Sequence, residues 1–184
     1  PEWLFFGSET TPPVLDENWE IVERNPYVLG DFCWTAFDYL GEVGIGRIEK
    51  LTGKEGYVAE FPWIAAYCGD LDLTGFRRPV SYWREIVWGG RNHVPYICVQ
   101  RPENVGEKLY KGNWAWTDSL NSWTWPGQEG KKTVVEVYSD AEEVELFVNG
   151  QSLGRKPVGD EFKKFYCKWD VKYQPGEVEA AAYI

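Results

Sequence analysis

Methionine is absent from this chain of 184 residues, and histidine occurs once, as His93. The chain opens at Pro1, so its first residue is not an initiator and further sequence upstream is expected. The four cysteines, Cys33, Cys68, Cys98 and Cys167, stand far apart with no Cys-x-x-Cys pair. With a single histidine beside them, they exclude an ordinary zinc site. Their apolar and aromatic neighbours mark them as small buried hydrophobes rather than disulfide partners or nucleophiles. No stretch approaches the roughly eighteen consecutive apolar residues of a membrane span, and the N-terminus "PEWLFFGSE" has no positively charged region of a signal peptide.

Positive charge is also scarce. Acidic residues outnumber basic ones by 29 to 19, the formal net charge is -10, and no basic stripe runs through the chain. Nucleic acid is therefore excluded as a partner, because affinity for a polyanion comes from Lys and Arg neutralising phosphates. What the chain has in abundance is aromatic surface: 17% of residues, including eleven Trp and eleven Tyr. Such side chains fill large cores or form flat apolar platforms with a polar edge, which suit sugars and proline-rich peptides.

The first half reads as alternating strand and helix. "WLFFGSE" is a short apolar run ending in polar residues, "DENWEIVERN" has helical spacing with Asp16 as its N-cap, and "YVLGDFCW" is a second apolar run. This strand, helix and strand predict parallel neighbours with their useful groups at the carboxyl ends. A long irregular segment rich in glycine follows, and "PVSYWREIVWGG" then predicts a helix with Pro79 in its first turn.

The pattern changes near His93. "VPYICVQRP", "KTVVEVYSD", "EVELFVNGQSLG", "FKKFYCKWDVKY" and "GEVEAAAYI" are short alternating runs separated by turn residues, the pattern of an antiparallel sandwich. Asn149-Gly150 marks a tight hairpin. "NWAWTDSLNSWTWPGQEG", with four tryptophans and no clean period, reads as a loop-rich connection.

Three features bear on chemistry. Glu9 follows an apolar strand at the end where α/β folds place active sites, although an exposed loop Glu is more often a solvated charge. Trp34 ends the next strand, with Asp38, Tyr39 and Glu42 close behind. That arrangement fits a binding surface and a buried aromatic with a capping acid about equally. Asp70 and Asp72 are spaced like ligands of a hard cation but lack the further carboxylates such a loop needs, so the structural reading prevails.

Taken together, "GSET", "YVLGDFCWTAFDYLGEVGIG", "AAYCGDLDLTGFRRPVSYWRE" and "VEVYSDAEEVELFVNGQSLG" resemble, in order and over nearly the whole chain, the bacterial β-galactosidases of glycoside hydrolase family two. The resemblance implies an α+β fragment: the last two βα units of a (β/α)8 TIM barrel in residues 1–92, then an immunoglobulin-like antiparallel β-sandwich in residues 93–184, truncated at its C-terminus. It implies that Glu9 is the nucleophile of a retaining mechanism at the end of the seventh barrel strand. It further implies that Trp34 stacks on the glycone, that Asp38 binds a hydroxyl, and that Tyr39 and Glu42 belong to the same substrate-binding floor. A non-proline cis peptide after Trp34 is a further expectation.

A retaining glycosidase needs two carboxyl groups roughly 5 to 5.5 Å apart, one to attack the anomeric carbon and one to protonate the departing oxygen. In the family the acid/base comes from an Asn-Glu pair at the end of the fourth strand, and this chain contains no Asn-Glu dipeptide. The expectation is an internal piece of a β-galactosidase, inactive alone, whose partners are a β-galactoside and the missing upstream domains of the same protein. No metal, other cofactor, nucleic acid or membrane is expected. The resemblance points to a bacterial parent, periplasmic or secreted in preference to cytoplasmic. The competing classes are a non-catalytic carbohydrate-binding module, against which Glu9 after "FFGS" discriminates, and an interdomain spacer, which fits the second half of the chain and is separated from a binding module by calorimetry with galactose.

Overall fold

The two apolar runs of the N-terminal segment form a parallel pair, β1 (Phe5–Thr10) and β2 (Val28–Cys33), joined through helix α1 (Leu15–Arg24). A computed structural model describes residues 2–90, 92–159 and 163–184 of this α+β chain. The register matches Phe5 with Val28, Gly7 with Asp31 and Thr10 with Cys33, with irregularities between these pairs. Strand β1 extends one residue beyond Glu9, so Glu9 lies within the strand rather than after it. Helix α1 also begins earlier than its pattern suggests. Pro12 and Pro13 start a 3-10 turn that runs directly into the helix, so Val14 is the N-cap and Asp16 is the second helical residue.

A half-buried polar knot ties α1 to both strands. The Thr10 hydroxyl donates to the Asp31 carboxylate, and the Asn18 side-chain amide lies 3.4 Å from both acceptors. Thr10 is 1% exposed. Gly7 sits where a Cβ would fall 2.0 Å from an Asp31 carboxylate oxygen, so the knot leaves no room for a side chain there. The other side of the pair is open: Phe6, Leu29 and Phe32 are each 63% exposed.

The glycine-rich segment after β2 contains a strand that its pattern does not reveal. β3 (Ile48–Lys50) pairs antiparallel with β5 (Leu109–Lys111), and between them in sequence lie helix α2 (Pro79–Val87) and strand β4 (Tyr96–Val99). The remaining strands are β6 (Lys132–Tyr138), β7 (Glu143–Val148), β8 (Gln151–Pro157), β9 (Tyr166–Lys172) and β10 (Val178–Tyr183). They form two three-stranded antiparallel sheets, ordered β4-β6-β9 and β10-β7-β8. The run written from Phe162 starts outside the described residues, and its strand is β9.

The sandwich follows from alternation. In β7, Val144, Leu146 and Val148 are buried, and in β9, Cys167, Trp169 and Val171 are buried. These residues share one core with Val99, Val135 and Val137. Each such side chain contributes about 1.5–3 kcal/mol when fully removed from water. Asn149 and Gly150, with φ of 50° and 76°, supply the positive backbone angles of the β7–β8 hairpin turn.

The chain divides into two compact units, one of Pro1–Arg84 with Lys108–Thr117 and one of Glu85–Glu107 with Asp118–Ile184. This differs from a single division at residue 92, because β5 returns to pair with β3. The tryptophan-rich segment is shared out accordingly. Trp114 and Trp116 fall in the first unit, where Trp116 stacks on Trp83 at 4.1 Å, and Trp123 and Trp125 fall in the second and pack on the sandwich core.

Candidate active site

The parallel pair brings two of the sequence-predicted residues together. The backbone N–H of Trp34 donates to the carbonyl of Thr10 at 3.2 Å, which stitches the chain leaving β2 onto the end of β1. Glu9 and Trp34 therefore stand at the same edge of adjacent strands, both exposed, Trp34 by 39%. The Trp34–Thr35 peptide bond is cis.

Beyond it, residues 35–46 run beside residues 65–71. Asp70 N–H donates to Thr35 O at 2.9 Å, Asp38 N–H to Leu71 O at 2.9 Å, Ala66 N–H to Tyr39 O at 3.0 Å and Gly44 N–H to Ala65 O at 2.8 Å. The approach is close enough that a Cβ on Gly69 would lie 2.3 Å from the Asp38 nitrogen. This irregular ladder makes a rigid floor from a segment without helix or strand periodicity.

Three side chains form a bonded row on that floor. The Trp34 indole N–H donates to the Tyr39 hydroxyl at 3.0 Å, and that hydroxyl donates to the Glu42 carboxylate. The Trp34 and Tyr39 rings meet edge to face at 6.0 Å. Partial burial, then the Glu42 hydrogen bond, pushes the Tyr39 phenol above its ordinary pKa, so it stays protonated as a donor. The row fixes the Trp34 ring in one orientation and leaves it exposed, which is what a stacking platform requires.

Asp38 departs from its expected role as a hydroxyl partner. Its side chain is 1% exposed and one oxygen accepts from Arg78 Nη2 at 2.6 Å. The other oxygen accepts backbone N–H groups of Tyr67 at 2.9 Å, Tyr39 at 3.2 Å and Cys68 at 3.4 Å. With both oxygens engaged inside the protein, Asp38 holds the floor together rather than facing a ligand. Asp70 is similarly committed, to Arg84 at 2.7 and 3.2 Å, while Asp72 closes its own turn with Thr74 and Phe76. Among the described residues no group of three or more His, Cys, Asp or Glu is arranged to hold a metal ion.

Other groups at the site were not legible in the sequence. Arg47 is 1% exposed and donates to the carbonyls of Gly44 at 2.9 Å, Gly56 at 2.9 Å and Tyr57 at 3.4 Å, and to Glu49 at 2.7 Å. It thereby holds the Gly56–Tyr57 backbone against the loop that follows Glu42. The signal that could have found it is a lone Arg among the glycines of "GEVGIGR". Cys68 lies below this floor, and burial pushes its thiol up to about 12, so it is an inert packing group.

A shallow hollow of about 190 Å³ is lined by Gly7, Glu9, Asn18, Ile21 and Asp31 among others, and a second of about 430 Å³ by Phe6, Leu29 and Phe32. Neither is lined by Trp34, Tyr39 or Glu42. The chain thus presents one carboxylate and one oriented aromatic platform at a strand edge.

The chain as a whole is similar to known proteins. Residues 130–184 match the family described as a domain of unknown function, DUF4982. The chain is 31% identical over 90% of its length to a protein of Formosa agariphila assigned as a β-glucuronidase, and 29% identical over 91% to the β-galactosidase BoGH2A of Bacteroides ovatus. It spans only 13% and 15% of those two curated relatives. A glycosyl hydrolase family 2 member from Bacteroides cellulosilyticus superposes on 98% of the chain with a TM-score of 0.82 and 38% identity, the chain covering 23% of that molecule. The homologues and structural neighbours of this chain are glycosidases of glycoside hydrolase family 2, and it corresponds to a small part of such proteins.

Proposed function

We propose that the chain is the end of a (β/α)8 catalytic barrel followed by an immunoglobulin-like sandwich, in a retaining exo-acting β-glycosidase that hydrolyses terminal β-galactosides. In this reading β1 and β2 are the seventh and eighth barrel strands. The observation that carries it is the shared edge: Glu9, one residue before the end of β1, and Trp34, directly after β2, lie at the same end of adjacent parallel strands joined by the Trp34-to-Thr10 hydrogen bond. The strand ends of such barrels are where their chemistry is done.

Glu9 acts as the nucleophile. Its carboxylate attacks the anomeric carbon while the glycosidic carbon–oxygen bond breaks, and the departing oxygen takes a proton from a carboxylic acid supplied by another part of the protein. Water then releases the sugar from the Glu9 ester with net retention. Trp34 carries the apolar face of the glycone, held in place by Tyr39 and Glu42, and Asp38 serves this site by fixing the floor. Galactoside is taken as the glycone from the resemblance of the sequence motifs to β-galactosidases, and the named relatives comprise a β-glucuronidase and a β-galactosidase.

Trapping tests the assignment. The full-length protein treated with a 2-deoxy-2-fluoro-β-galactoside bearing a dinitrophenyl leaving group is expected to accumulate the glycosyl-enzyme. Peptide mass spectrometry should then place the fluoro-sugar on Glu9, and labelling of a different carboxylate would refute the role given to it. The 184-residue chain alone is expected to release no nitrophenol from a nitrophenyl β-galactoside above the blank, because it supplies one of the two carboxyl groups. Turnover by the chain alone would overturn that division of labour.

A further inference from the structure

We propose that Tyr57 is a further substrate-contacting residue, which forms the wall of the neighbouring subsite and receives the leaving group of the glycoside. The proposal rests on the reading of Glu9 and Trp34 as the glycone site and extends it outward by one sugar.

Position is the first argument. Trp34, Tyr39 and Glu42 form a bonded row with Glu42 at the end opposite Trp34. Tyr57 lies in the electrostatic reach of Glu42 and, to a lesser extent, of Glu9. Burial first, and then these two carboxylates in that order, raise its phenol above the ordinary pKa. The geometry agrees: Ala59 N–H donates to Val43 O and Arg47 to the Gly56 and Tyr57 carbonyls, which holds the Tyr57 segment beside the loop that follows Glu42.

Anchoring is the second. Tyr57 is 53% exposed, yet its backbone is tightly held. The buried Arg47 guanidinium donates to the carbonyls of Gly56 and Tyr57, Ala59 N–H donates to Val43 O at 2.7 Å, and a Cβ on Gly44 would fall 2.6 Å from the Ala59 side chain. The ring meets Trp114 edge to face at 6.3 Å. Trp114 packs on the same Ile45, Ala66 and Cys68 cluster as Tyr39, so the two aromatic groups share one rigid base. An exposed tyrosine with a fixed backbone and a supported ring is an expensive arrangement for a loop without a ligand. A flat ring with a polar edge is suited to a sugar or aryl group.

The test uses the full-length protein and two substrates with the same glycone. One is a β-glycosyl fluoride, whose leaving group is a single atom, and the other is a disaccharide with a β-linked terminal glycone. Tyr57→Ala is expected to lower kcat/KM for the disaccharide roughly tenfold, the size of one lost aromatic contact, and to change it less than about twofold for the fluoride. Tyr57→Phe should stay within about threefold of the parent on both. Arg47 bonds only to the backbone at this position, so neither substitution removes its anchor. Equal losses on both substrates, or no loss on either, would overturn the proposal. Glu9→Gln measured in parallel separates the two readings. If it is inactive while Tyr57→Ala fails to discriminate, the subsite assignment alone falls, and if it retains turnover both fall.

Discussion

Replacing Glu9 by Gln in the full-length protein is expected to lower turnover of a β-galactoside by about 10⁴-fold or more. An amide has nearly the same shape as the carboxylate but carries no charge and cannot form the ester intermediate, so the loss appears in kcat rather than in binding alone. Glu9 is exposed near the end of β1, and the fold there depends on its neighbours Thr10 and Asp31. Stability should therefore change by less than about 0.5 kcal/mol. A sharper version uses Glu9→Gly with added azide. If Glu9 is the nucleophile, azide enters the vacated space and yields a glycosyl azide of inverted configuration. An azide product of retained configuration would identify Glu9 as the acid/base instead. Turnover by Glu9→Gln within tenfold of the parent would remove Glu9 from the chemistry.

The second large effect concerns Asp38. Asp38→Ala is expected to destabilise the first unit by about 3–5 kcal/mol, measured by denaturant unfolding of the full-length protein. The carboxylate is buried, faces Arg78 at 2.6 Å, and receives three backbone N–H groups. Its removal leaves a largely buried guanidinium without its counter-charge and three donors without an acceptor. Asp38→Asn should fall between, because the amide oxygen can still accept while the charge is gone. A sugar-binding role without structural weight predicts the opposite division, with stability unchanged and KM raised, and that result would restore Asp38 to the subsite.

Asp38 also marks the boundary of what could be read from residues alone. An acid four positions after Trp34 is equally consistent with a ligand contact and an internal anchor. What decides between them is Arg78, forty residues away in sequence, which no local pattern connects to it. The βαβ unit was legible because two apolar runs flank a segment of helical spacing, and the sandwich because burial in β7 and β9 alternates with period two. The β3–β5 pair was not. Each strand has three residues, their partners are some sixty positions apart, and neither carries an alternating pattern long enough to stand out. Tyr57 escaped for a related reason: a single aromatic in "GKEGYVAE" acquires meaning only when Arg47 folds that segment against the Glu42 loop. Asp16 shows a smaller error of two residues, where a proline pair moved the helix start ahead of the best capping side chain.

The return of Lys108–Thr117 to the first unit affects how the molecule comes apart. The chain passes from one unit to the other at three places, after Arg84, after Glu107 and after Thr117. A protease that nicks any one of these passages leaves two covalent tethers intact. The units would then stay joined under native conditions and separate only when the nicked chain is denatured. A shortened gene beginning at His93 would likewise produce a sandwich carrying β5 without β3, its only strand partner among the described residues. A single cut at residue 92 therefore parts β3 from β5 and does not separate the two units cleanly.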